Sequence, residues 1–122
     1  MEFTPDEAVQ RLKAEILAPD WCLGERRALG LLQALTVVES RHRQRRVLLC
    51  LGGMARAAVA YLRSRGEAAP PEVLDFLKQA LAHLVALLEE EEVETVRETE
   101  VFHKLHDRFQ RLKAKLAAGA GN

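Results

Sequence analysis

Five apolar side chains near the C-terminus, Phe102, Leu105, Phe109, Leu112 and Leu116, follow one another at intervals of three, four, three and four. Only an α-helix brings that spacing onto one stripe, and it is the a/d spacing of a coiled coil. Strand signals do not compete with it. Aromatics make up 5% of the 122 residues, and β-branched residues never alternate with polar ones over a useful length. Ala, Leu, Glu, Arg and Lys dominate, and these are strong helix formers. The expected fold is therefore all-α: an antiparallel bundle of four to five helices in a single domain, too short for two independent cores.

Punctuation residues divide the chain. Thr4, Pro5 and Glu7 form a capping box that starts a first helix, with Ala8, Val9, Leu12 and Ile16 at helical spacing. Pro19 ends it at or before Ala18. The connector from Ala18 to Gly24 carries Trp21, whose expected role is to anchor the loop on the bundle. A second helix over Glu25–Ser40 lines Ala28, Leu31, Leu32, Leu35 and Val38 on one face, widened by Leu29 and Val37.

The third helix is expected over Gln44–Arg65, with Cys50 in its apolar run and Gly52-Gly53 in its interior. Two glycines inside a helix cost about 1 kcal/mol each relative to alanine, so another helix approaches closely there or the helix kinks. Gly66 ends it as a C-cap. Pro71 opens a fourth helix carrying Val73, Leu74, Leu77, Ala80, Leu81, Leu84, Val85 and Leu88. The acidic run Glu89-Glu90-Glu91-Glu92 either turns the chain or continues the helix into the Phe102–Leu116 seam. The tail from Ala117 to Asn122 is expected to fray.

Charge is segregated although the net charge is zero. Residues 1–66 hold 11 basic and 7 acidic side chains, and residues 67–122 hold 7 and 11. In an up-down bundle the basic turn Arg41, Arg43, Arg45 and Arg46 shares an end with Glu89–Glu94. Such exposed pairs contribute about 0–1 kcal/mol each and set orientation more than stability.

Chemistry-bearing motifs are sparse. Glu100-x-x-His103 has the spacing of di-iron bundles, but those need two such motifs on facing helices. With Phe102 and Leu105 inward, His103 points away, and Glu100, His103, His106 and Asp107 read as a surface cluster. Neither His83 nor His103 is followed by the residues of a phosphotransfer bundle. Cys22 and Cys50 make neither a disulfide framework nor a zinc site. Cys22, near a helix start, is the better candidate for a reactive thiol, and Cys50, inside an apolar run, is expected in the core. The acidic start Met1–Glu7 is no signal peptide, and no run of 18 apolar residues exists, so neither leader nor membrane span is expected. The expected location is cytoplasmic.

Three functional readings follow. The first is a non-catalytic interaction or regulatory module acting as a homodimer, because helices two to four and the seam carry more apolar surface than one small bundle readily hides. No cofactor or metal is expected. The second is a small ligand-binding or enzymatic bundle using Trp21, Cys22 and Arg56. An Arg56 facing a cavity favours it, whereas an Arg56 paired to a glutamate favours the first. The third, nucleic-acid binding through the Arg41–Arg46 turn, is disfavoured by zero net charge and the lack of interleaved aromatics.

Overall fold

The computed structural model describes residues 4–17, 25–89 and 95–120. Five helices occupy them: α1 (Pro5–Leu17), α2 (Glu25–Arg41), α3 (Arg46–Arg65), α4 (Pro71–Glu89) and α5 (Thr95–Ala120). No strand occurs among the described residues. The Trp21–Cys22 connector and most of the acidic run lie outside them, as does the end of the tail.

The local signals act as their chemistry dictates. The Thr4 hydroxyl accepts from the Glu7 amide at 3.2 Å and donates to the Glu7 carboxylate at 3.0 Å, closing the first turn of α1. Gly66 caps α3 with a positive φ of 56°, a conformation that penalises any side chain. Its N–H donates to the Leu62 carbonyl. A short 3-10 turn then leads to Pro71.

Helices α1 to α4 form a closed ring in which each packs on the next and α4 packs on α1. Cross-helix pairs fix the directions. Arg11 lies over Gly30 and Glu15 meets Arg27, so α1 and α2 are antiparallel. Gly52 lies at Glu39 and Arg56 meets Thr36, so α2 and α3 are antiparallel too. Lys13 reaches Glu89 at 2.6 Å between α1 and α4. The fifth helix lies outside the ring, in the groove between α3 and α4. Glu72 pairs with Lys115 at 2.7 Å and Phe76 stacks on Phe109 with ring centroids 5.6 Å apart. Helix α5 therefore runs back along α4, and the chain reverses between Glu89 and Thr95 instead of forming one long helix.

This arrangement explains where the apolar surface goes. Helix α4 touches α1, α3 and α5, so it is buried on more than one face. Phe76 and Leu87 join its predicted stripe in the core. Helix α3 is long and apolar enough to cross a membrane, but its apolar face is packed inward through Leu48, Leu51, Met54, Ala55, Ala58, Val59 and Leu62. The part of the apolar surface on α3 and α4 that was expected to need a second subunit is covered by α5. Leu29, 47% exposed, is the large hydrophobic left outside among the described residues.

Several expectations are corrected. Leu29 does not widen the buried face of α2. Cys50 is exposed, not core. The inward positions of α3 at 48, 51, 52 and 55 leave residue 50 on the opposite side of the helix. Helix α2 ends at Arg41, and α3 begins at Arg46, after an extended Arg45. The alanine-rich tail stays helical to Ala120, because alanine is the best helix former.

Candidate functional site

Arg56 is the residue on which a small-ligand site would depend. It projects from α3 towards α2. Its Nε donates to Glu39 Oε1 at 2.8 Å and its Nη2 donates to the Thr36 hydroxyl at 2.7 Å. The Thr36 hydroxyl in turn donates to the Leu32 carbonyl at 2.9 Å. Gly52 makes room for this clasp, since a Cβ there would lie 2.8 Å from Glu39 Oε1. Gly53 has open space around it and needs no such room. The paired glycines therefore have different reasons: one admits a carboxylate, and the other faces solvent.

A second clasp closes the α1–α2 pair. Glu15 is only 7% exposed, yet it carries a charge. Arg27 meets both its oxygens, at 2.7 and 3.4 Å, and Arg11 approaches at 3.3 Å. Two guanidinium groups thus compensate the buried carboxylate. Glu15 stands at an inward position of α1, one turn after Leu12, and a charge on that stripe was the available sequence signal.

The basic turn occupies one end of the bundle. The chain leaves α2 with the His42 amide donating to the Val38 carbonyl at 3.1 Å, and the Arg45 amide donates to the His42 carbonyl at 3.0 Å. Arg45 does not cap α3 with its side chain. It reaches Glu98 on α5 instead, with Nε 3.0 Å from Oε1. Arg41, Arg43 and Arg46 are exposed and form no ion pair with a described residue. The first turn of α3 contains no acidic side chain. The three arginines and the amides of that first turn group positive charge at the start of α3.

The described residues place the end of α4 next to the basic turn. A shallow groove of about 170 Å³ is lined by Asp6, Val9, Val38, Arg41, His42 and Leu88. The last turn of α4 therefore lies beside the basic turn through Leu88, and Glu90–Glu94, the rest of the acidic stretch, lie outside the described residues. His42, half-buried here, has its pKa lowered by burial and by the cations of Arg45 and Arg41.

The coiled-coil seam faces the chain's own core. Leu105 is 1% exposed, and Phe102, Phe109, Leu112 and Leu116 are half-buried against the α3–α4 groove. Lys113 lies over the Phe109 ring at 5.4 Å. Glu100, His103, His106 and Asp107 are on the exposed side of α5, where His106 stacks on Phe102. Among the described residues no three His, Cys, Asp or Glu side chains converge to hold a metal ion. At the far end, a groove of about 320 Å³ is lined by residues including Tyr61, Arg65, Pro70 and Leu116. Neither groove reaches Arg56, and Trp21 and Cys22 lie outside the described residues.

Sequence reasoning selected Arg41–Arg46 and Arg56 but missed Glu39 and Glu98, the carboxylates that engage two of them. Both lie on charged helix flanks, where one glutamate looks like another. No protein-family model, curated protein or solved structure matches the chain.

Proposed function

We propose that this chain is a non-catalytic helical interaction module that works as a homodimer, joined through the end of the bundle that carries the basic turn. The observation behind the reading is the contrast between engaged and unengaged arginines. Arg45 and Arg56 are tied to Glu98 and Glu39, whereas Arg41, Arg43 and Arg46 are exposed and pair with no described residue, around a helix start that Arg45 does not cap with its side chain. That corner suits an acidic surface. Helix α4 ends at Glu89 on the same end, and the sequence that follows is acidic, which supports a self-complementary contact about a two-fold axis: the basic corner of one copy meets the acidic sequence of the other.

The engaged state of Arg56 weighs against the small-ligand reading, because its donors are already turned onto Glu39 and Thr36. The free, exposed Cys50 thiol suits a reducing cytoplasmic setting.

Sedimentation velocity from low to high micromolar concentration tests the proposal. The expected species is twice the chain mass, weakened by combined Arg41→Glu, Arg43→Glu and Arg46→Glu substitution. A monomer throughout would overturn it. Steeply salt-dependent retention on DNA or RNA would move the assignment of the same corner to nucleic acid.

A further inference from the structure

We infer that the two copies join by exchanging α5, each fifth helix occupying the α3–α4 groove of the other core. The inference rests on the dimer reading above and names the contact that makes it. The four-helix ring closes without α5, because α1 packs on α2 and α4, and α3 packs on α2 and α4. Among the described residues α5 packs on α3 and α4 and not on α1 or α2. Its grip is a separable set: Leu105 in the groove, Phe109 on Phe76, Lys115 on Glu72, Arg108 on Gln79 and Glu98 on Arg45. A second copy's α5 satisfies every one of these contacts without change, so exchange loses no packing.

The connection supplies the reason to exchange. The described residues on either side require the chain to reverse between Glu89 and Thr95. The intervening sequence is Glu-Glu-Glu-Val-Glu. It contains none of the Gly, Pro, Asn, Asp or Ser residues that build tight turns, and glutamate favours helix. Local preference and chain path therefore disagree, and short connections of this kind promote swapping. Opened, the chain carries α5 into a second core set end to end with the first.

Two native ion pairs make the test internal. Lys115–Glu72 joins α5 to the ring, and Lys13–Glu89 lies within the ring, with N···O distances of 2.7 and 2.6 Å. Ordinary and nitrogen-15-labelled full-length chains are unfolded together, refolded at high concentration and checked for helicity. A zero-length carbodiimide then couples each amine to its carboxylate, and the linked peptides are weighed. The expected result is a dimer whose Lys115–Glu72 links include mixed-isotope pairs while Lys13–Glu89 links are uniform. A dimer with uniform links at both pairs overturns the exchange and leaves the dimer reading standing. A monomer overturns both, and mixed links at both pairs overturn exchange confined to α5. As a second measurement, Glu91→Gly with Glu92→Gly supplies turn residues and weakens the dimer about tenfold or more. An unchanged dimer affinity in that variant overturns the exchange.

Discussion

Glu39 and Arg56 hold α2 to α3 by a 2.8 Å ion pair, and the bonded Glu39 oxygen occupies the space that a side chain at Gly52 would fill. The two neighbouring glycines of α3 are thereby separated in meaning. Gly53→Ala removes backbone freedom from the unfolded chain and meets nothing in the folded one. We expect a gain of about 1 kcal/mol, or about 3–6 °C in Tm by circular dichroism. Gly52→Ala instead presses on the carboxylate that Arg56 holds, and its gain should be smaller or absent. Equal stabilisation by both substitutions would contradict this account.

Leu105 is the fully buried side chain of the α5 seam. Leu105→Ala should cost about 2–5 kcal/mol in urea denaturation, the range for a buried leucine truncated to alanine. Hydrogen exchange should show the loss unevenly. Amides of α5 should lose protection first, while those of α1 to α4 keep theirs, because the ring closes without α5.

The Arg45–Glu98 pair is partly exposed, so Glu98→Gln should cost no more than about 1 kcal/mol. The informative comparison is Leu105→Ala. If Glu98→Gln destabilised the chain as much, the apolar seam would not be what seats α5.

Acid should weaken the fold through its histidines. His83, half-buried on α4, has its pKa lowered by burial and then by Lys104, Arg108 and Arg97 of α5. His42 is shifted the same way, by burial and then by Arg45 and Arg41. With the folded pKa below the ordinary value of 6.5, the unfolded chain binds more protons. The stabilising difference is present above pH 6.5 and is lost as pH falls through the folded pKa. Denaturation midpoints should therefore drop on acidification below pH 6.5, and His83→Gln should flatten part of that slope. A slope unchanged by the substitution would remove His83 from the cause.

Leu29 sits on α2 at the end of the bundle away from the basic turn, and it is exposed. Leu29→Gln should change stability by no more than about 0.5 kcal/mol and leave the oligomeric state alone. A dimer lost on this substitution would move the interface to the outer face of α1 and α2.

The reach of sequence reasoning differs from element to element. The Thr4–Glu7 cap, the Gly66 stop and the Pro71 start were legible because each depends on neighbours in the chain. The inward set of α5 was legible because its period is that of one helix. Cys50 was misread because an apolar run of five residues conceals the helical phase, which the packing of α3 against its neighbours selects. Phe76 was missed because α4 serves three partners, and a single stripe does not reach all of them.

For the candidate site the division is sharper. The kinds of charge present, their segregation along the chain and the end of the bundle they share follow from composition and from short antiparallel connections. Which arginine meets which carboxylate does not follow. Arg45 and Glu98 are separated by 53 positions, and only the seating of α5 on α3 and α4 brings them together. Helical periodicity is a local property, set by backbone hydrogen bonds four residues apart. Partner choice between helices depends on how their ridges interlock in three dimensions, and that belongs to the folded chain as a whole.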